Sequence, residues 1–500
     1  MGLTMGEAMT KAIYALTAAL LVLGTILWYN TWRFAAPRPS PSAAADKHAI
    51  RIAPADSAAM VERFSRALQL ATVSRETARR DTPVFQEFLQ FLRESFPRVF
   101  SRMQEERVNE LSVLLHWKGD SDTLRPLLFV AHYDVVPVDS STIHLWTYPP
   151  FSGTIAGGYV WGRGAIDDKA GTMLTLEAME YLLAGGFRPR RSIYIALGHD
   201  EEIGGLEGAR EMARRLDQQG REFELVLDEG GTVLTEGLAG ISRPVALVGI
   251  AEKGYVTLRL TARGEAGHSS MPPRQTAIGR LAAAIQRLET QPFPAAITGP
   301  TKAFFDTVGP HMPFLPRLVL ANRWLLGSLL MAQLERQPPT NALIRTTTAV
   351  TMIQGGVKPN VLPAQATALV NFRIRPGESV ETVIKHVRSA IADTSIGIEI
   401  FGKLAIDPSP TSRIDNRAFR QVSQSIRTVF PGTLAAPYTV LGATDSRYYY
   451  SVSRAVYRFL PLEVRYDDLS RIHGVNERVA TAGLIKGVRF YIDLIRRLNP

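Results

Sequence analysis

The 500-residue sequence contains no cysteine. Disulfide bonds and thiolate metal ligands are therefore excluded. A metal ion in this protein must be held by histidine, aspartate and glutamate, and the chain has 9 histidines and 47 acidic residues to supply them.

Basic clusters are also lacking, although the formal net charge is +10. The lysines and arginines are dispersed, without the interleaved aromatic residues typical of a nucleic-acid-binding surface, so no nucleic-acid partner is expected. The composition, 46% apolar and 21% charged, is that of a folded globular protein. The length suggests roughly two to four domains.

The N-terminal region carries the longest apolar run. Residues 12–29, AIYALTAALLVLGTILWY, have no charged residue and are about long enough to cross a ~30 Å hydrocarbon layer as a helix. We therefore expect residues 1–33 to be a membrane anchor, followed by a Pro-, Ala- and Ser-rich linker over residues 34–56. A cleaved signal peptide is the alternative, because small residues near positions 43–45 suit a signal peptidase.

Short apolar runs alternate with helical segments from residue 57 to 251, and the pattern resumes over residues 404–500. PLLFVAHYD, SIYIALGHD and FELVLDEG are examples of these runs. Together they predict an α/β domain with a mostly parallel sheet covered by helices on both faces. In such sheets ligands bind beyond the carboxyl ends of the strands, where the polar residues of these runs fall.

Residues 252–403 have a different pattern, β-α-β-β-α-β, which predicts an inserted ferredoxin-like α+β domain. Within it, residues 292–342 form an apolar insertion that is long for a loop. This insertion is interpreted as part of a packed lid, as an element that covers the substrate, or as a patch that touches a membrane.

Histidines and acidic residues recur at the predicted strand ends and beside glycine turns. Each could be a turn or strand-end residue on its own, but together they suit zinc or a similar divalent ion, and a bridging carboxylate can hold two ions. Cations would also neutralise the repulsion among so many carboxylates. The residues are His132, Asp134, Asp167, Glu201, Glu202, Asp228 and His473.

Six ordered motifs carry a resemblance to a known family. AHYDVVPV, WGRGAIDDKAG, GHDEEIGG, GEAGHSSMP, GGVKPNVLP and GATDSRYY resemble those of the di-zinc aminoacylase and carboxypeptidase family, which includes aminoacylase-1, glutamate carboxypeptidase and carboxypeptidase S. The resemblance runs from about residue 58 to the C-terminus. It is closest to the branch of carboxypeptidase S and the N-fatty-acyl-amino-acid synthase/hydrolase.

The resemblance implies a site with two zinc ions. Asp167 would bridge them, with His132 and Asp228 on one ion and Glu202 and His473 on the other. It also implies a cis peptide bond between Asp167 and the residue that follows it.

The resemblance also implies catalytic roles. Glu201 would be the general base, and Asp134 would orient His132. His268 would stabilise the oxyanion, with Asn360 beside it; in related dimers this histidine comes from the partner subunit. A homodimer through residues 252–403, as a lid and dimerisation domain, is therefore expected.

Two arginines, Arg373 and Arg447, are candidates for holding a substrate carboxylate, because a guanidinium group can bind it through two hydrogen bonds. The predicted function is hydrolysis, and also formation, of the amide bond of N-acyl amino acids, in particular N-fatty-acyl amino acids. A carboxypeptidase or dipeptidase acting on short peptides is one alternative, and a non-catalytic binding protein on the same fold is another. The resemblance places the catalytic domain outside the cytosol, in a periplasm or lumen.

Overall fold

A computed structural model describes residues 5–35, 50, 52–75, 81–238 and 240–499. The helices are α1 Met5–Arg33, α2 Pro54–Gln69, α3 Thr82–Ser95, α4 Pro97–Arg102, α5 Lys169–Ala184, α6 Ala209–Gln218, α7 Ala277–Thr290, α8 Gly299–Val308, α9 Phe314–Ala321, α10 Arg323–Glu335, α11 Pro338–Ile344, α12 Val380–Ile391, α13 Arg417–Val429 and α14 Thr481–Leu498. The strands are β1 Gln104–Val108, β2 Ser112–Trp117, β3 Leu127–His132, β4 Thr154–Ala156, β5 Tyr159–Trp161, β6 Ile193–Gly198, β7 Leu225–Asp228, β8 Val233–Leu234, β9 Val245–Glu252, β10 Gly254–Arg263, β11 Gly267–His268, β12 Thr347–Gly355, β13 Val361–Leu362, β14 Gln365–Ile374, β15 Ile396–Ile406, β16 Leu434–Val440, β17 Val456–Arg458, β18 Glu463–Val464 and β19 Arg478–Ala480.

The larger sheet has ten strands in the order β1-β2-β6-β3-β7-β17-β9-β8-β18, with β16 also paired to β9. Its centre, β6-β3-β7-β17, is parallel, as the apolar runs predict. Successive residues of β3 enter different cores: Leu127 and Phe129 pack with α5 and α14, whereas Leu128 and Val130 pack with α6. Helices therefore cover both faces of the sheet.

A second sheet of four antiparallel strands, β12-β14-β10-β15, stands apart from the first. Helices α7 and α12 pack against it around a core of its own, and this sheet with its helices and the short strands β11 and β13 is the smaller domain of the protein. The chain order β10-α7-β12-β14-α12-β15 is the split β-α-β-β-α-β order that the sequence predicts. The role of this unit as a lid or dimerisation domain stays a prediction.

The apolar insertion folds as four helices, α8 to α11. Phe304, Phe305 and Val308 of α8 pack with Val245 of β9 and Ala436 of β16, at the edge of the larger sheet. Much of the insertion is therefore packed protein core.

The N-terminal helix α1 is long and apolar enough to cross a membrane over Met9–Arg33, and an apolar stretch of 18 residues within it is not buried inside the protein. Most of the predicted linker, including the region of the alternative cleavage site, lies outside the described residues.

Candidate metal centre and active site

Three neighbouring parallel strands end at the same edge of the larger sheet and place polar residues there. His132 is the last residue of β3 and Asp228 the last of β7. Glu201 and Glu202 lie in a short 3-10 turn just after β6. The carboxyl ends of parallel strands thus gather these side chains, which is how the sequence motifs come together.

Asp167 lies between two histidines. Its Oδ1 is 3.0 Å from Nε2 of His132, and its Oδ2 is 3.1 Å from Nε2 of His473. The same nitrogen of His473 is 3.3 Å from Oε2 of Glu202. His132, Asp167 and Glu202 offer ligand atoms within 4.8 Å of one another, which makes them a candidate metal site. The peptide bond between Asp167 and Asp168 is cis, as predicted.

Asp134 is fully buried behind these residues. Its Oδ1 is 3.3 Å from Nδ1 of His132, and its carboxylate accepts the backbone N–H groups of Glu201 and Glu202 at 3.1 and 3.2 Å. One side chain therefore fixes both the imidazole and the turn that carries the two glutamates.

Asp228 and the residue after it face different ways. The carboxylate of Asp228 accepts the backbone N–H of Ser446 at 2.7 Å and that of Glu229 at 2.9 Å. Oε1 of Glu229 is 3.8 Å from Nε2 of His132, and Glu229 lines the cavity described below. Sequence reasoning missed Glu229, although LVLDEGG contains an acidic doublet like that of GHDEEIGG.

Burial makes the three glutamates of this site costly to charge. Burial raises the pKa of Glu201 well above its usual value. Burial and the charge of Asp167 raise the pKa of Glu202 to about 7 and that of Glu229 to about 8. Hydrogen bonds to Asp167 and Glu202 raise the pKa of His473 to about 10. Converging imidazole and carboxylate groups, with excess acid, are a donor set that fits divalent cations such as zinc.

A cavity of about 500 Å³ opens above this cluster. Both arginine candidates line it. Nη2 of Arg447 lies 3.4 Å from Oε1 of Glu201, whereas the guanidinium of Arg373 lies over the ring of Tyr255, 4.9 Å from its centroid. The apolar part of the wall is formed by Ile203, Leu404, Ile406, Val440 and Ile472.

The structure does not bring His268 and Asn360 to this cavity. Both are exposed in the smaller domain, where His268 pairs with Val361 across β11 and β13. Nδ1 of His268 is 2.6 Å from the hydroxyl of Ser270, and the backbone N–H of Ser269 donates to the carbonyl of Asn360. Within one copy of the chain, the predicted oxyanion residues are thus apart from the metal cluster.

Comparisons with known proteins match most of the chain. The sequence profile of peptidase family M20/M25/M40 matches residues 128–497. Human N-fatty-acyl-amino acid synthase/hydrolase PM20D1 is 37% identical, over 96% of this chain and 96% of that protein. The Xenopus tropicalis protein of the same name is 41% identical, over 87% and 85%. Probable carboxypeptidase S-like 2 of Dictyostelium discoideum is 37% identical, over 95% and 92%.

A solved structure shares the fold. The M20 family metallo-carboxypeptidase Sso-CP2 from Sulfolobus solfataricus aligns with a TM-score of 0.66 over 88% of this chain and 99% of its own, at 19% identity.

Proposed function

Because the chain belongs to peptidase family M20/M25/M40, we propose that it is a metal-dependent hydrolase that cleaves, and in reverse forms, the amide bond of N-fatty-acyl amino acids. The observation that carries this proposal is the identity of 37–41% to proteins named N-fatty-acyl-amino acid synthase/hydrolase, over at least 85% of both chains. Together with the buried acidic cluster and Glu201, that identity counts against a non-catalytic binding protein.

The donor set suits two zinc ions with Asp167 between them. Oδ1 of Asp167 faces His132 and Oδ2 faces His473, so its two oxygens point to different histidines. Glu202 lies beside His473. Asp228 is the further ligand that the resemblance implies beside His132, although its carboxylate accepts the backbone N–H of Ser446 and Glu229 is the nearer of the two acids, 3.8 Å from Nε2 of His132. Zinc, when bound, polarises the scissile carbonyl and lowers the pKa of the attacking water.

Glu201 is the proposed general base, taking a proton from the attacking water and delivering it to the leaving amine. Burial raises its pKa, which makes its carboxylate a stronger base toward the attacking water. Asp134 holds its backbone N–H, and Arg447 lies beside its carboxylate. These contacts orient the base while the reaction proceeds.

Arg373 is the better placed of the two arginines to hold the substrate carboxylate. Among the described residues it has no acidic partner, whereas Arg447 donates to the carbonyl of Thr444 and lies against Glu201. The apolar wall of the same cavity suits an acyl chain, since each buried methylene contributes about 0.8 kcal/mol.

A carboxypeptidase acting on short peptides is the second candidate, favoured by the similarity to Dictyostelium carboxypeptidase S-like 2. One assay separates the two: oleate release from N-oleoyl-phenylalanine is compared with amino-acid release from a blocked dipeptide, with added zinc. Faster turnover of the oleoyl substrate supports the proposal. A wide preference for the dipeptide overturns it in favour of the peptidase.

The remaining parts of the proposal concern assembly and location. Because His268 lies away from the cavity of its own chain, a homodimer through the smaller domain would let a partner supply it. Helix α1 is the proposed membrane anchor, with the catalytic domain outside the cytosol. Cross-linking in membranes and protease protection of the catalytic domain test the two statements separately.

A further inference from the structure

A buried asparagine of the insertion forms hydrogen bonds to the C-terminal end of α1. Asn322, between α9 and α10, has no exposed surface. Its Nδ2 lies 3.1 Å from the carbonyl of Leu27 and 3.3 Å from the hydroxyl of Thr31, and its Oδ1 accepts from Asn30 at 2.9 Å. Phe34 packs into the apolar core of the insertion. The helix therefore meets the folded domain at a defined place.

The contact with Asn322 determines where along the apolar helix α1 the insertion lies. Leu27 belongs to the uncharged run of residues 12–29, so Asn322 contacts α1 within its last apolar turns. The backbone N–H of Leu325 donates to the carbonyl of Asn322, which places the start of α10 at the same level. When α1 spans a bilayer, this corner of the domain lies at the lipid surface.

The two helices at this corner expose large apolar side chains. Leu315 is 70% exposed, Trp324 63% and Leu329 58%, and Phe314 and Leu325 are also exposed. Leu325 and Leu329 are four residues apart in α10 and so share one face of that helix. Exposed apolar groups gathered on one element mark an interaction surface.

The charge of these two helices is low and mostly paired. Residues 314–335 contain two arginines and one acidic residue, Glu335. Glu335 pairs with Arg345, and Arg323 pairs with Asp306 of α8, so no unpaired acid interrupts the exposed apolar side chains. An apolar helix face of this kind is suited to the interface of a bilayer.

We propose that the exposed face of α9 and α10 is a second membrane-contact surface, inserted into the outer part of the bilayer that α1 spans. Asn322 joins this face to α1, and because α1 is the proposed membrane span, lipid is the proposed occupant. The domain would then be held against the membrane at two places, with its orientation fixed. This proposal rests on the proposed membrane anchor α1, and it does not depend on the substrate of the active site.

Because the chain has no cysteine, a single label can test it in the full-length protein. Leu315→Cys and Leu329→Cys variants carry an environment-sensitive fluorophore in vesicles of phosphatidylcholine and phosphatidylglycerol. The matched control is Ile353→Cys, at a residue 60% exposed in β12 of the smaller domain. The expected result is blue-shifted emission, loss of quenching by aqueous iodide and quenching by lipid-attached nitroxide at positions 315 and 329, with none of these at 353.

Two outcomes overturn the proposal. In the first, iodide quenches the labels at 315 and 329 as strongly as the label at 353. In the second, their protection is lost when the protein is diluted to one copy per vesicle, which would make a second copy of the chain the occupant. A melting temperature of each labelled protein equal to that of the unlabelled chain shows that the fold is retained.

Discussion

Replacing Arg373 with methionine should lower kcat/KM for substrates that have a free carboxylate at their amino-acid end, and should affect uncharged analogues much less. The guanidinium of Arg373 lines the cavity and has no acidic partner among the described residues, so a substrate carboxylate can bind it without displacing another anion. Hydrogen bonds to charged groups contribute about 1.5–3 kcal/mol. Because 1.36 kcal/mol corresponds to a factor of ten, kcat/KM for N-oleoyl-phenylalanine should fall about 10- to 150-fold.

The assay compares that acid with its uncharged analogue, N-oleoyl-phenylalaninamide, by oleate release. The variant should lose activity on the acid and keep most of its activity on the analogue. Arg259→Met is the matched control, since Arg259 also lies over an aromatic ring, that of Phe401, but outside the cavity. An equal loss on acid and analogue would refute the carboxylate contact and make Arg373 a structural residue.

Three further changes test the surroundings of the site. Arg447→Met removes a positive charge 3.4 Å from Glu201, so the pKa of that base should rise. The acid limb of the kcat/KM profile should then move to higher pH. A loss of rate without that shift would argue against the contact. Zinc binding, measured by calorimetry, should tighten as the pH rises through about 7, because Glu202 must lose its proton to bind a cation; affinity independent of pH would contradict this. Glu252→Gln removes the charged partner of fully buried Arg458 and should lower the free energy of unfolding by about 3–5 kcal/mol, and an unchanged melting temperature would refute it.

The sequence could predict where the site lies because its residues follow buried strands. An apolar run such as PLLFVAHYD identifies a strand and its end at once, and parallel strands bring those ends together. His132, Glu201, Glu202 and Asp228 could therefore be grouped before any coordinates, although they span 97 positions of the numbering.

Other features depend on tertiary contacts that no local pattern records. The direction of the Asp228 carboxylate follows from the backbone N–H of Ser446, 218 residues away, and leaves Glu229 nearer to His132. The packing of α8 on the sheet edge could not be predicted, because an apolar helix suits a core, a lid or a membrane equally well. The contact of Asn322 with α1 could not be predicted either, because its partners are about 290 positions earlier in the sequence.

The most direct test of the account is turnover of N-oleoyl-phenylalanine by zinc-loaded Glu201→Gln, measured together with its bound zinc. Removal of a general base costs typically about 10²- to 10⁴-fold in rate, so kcat should fall by that amount while zinc content stays at the level of the unmutated protein. Glu207→Gln, at an exposed glutamate nearby, should change neither quantity. Full turnover by the Glu201→Gln variant with its zinc retained would contradict the assigned base and the mechanism built on it.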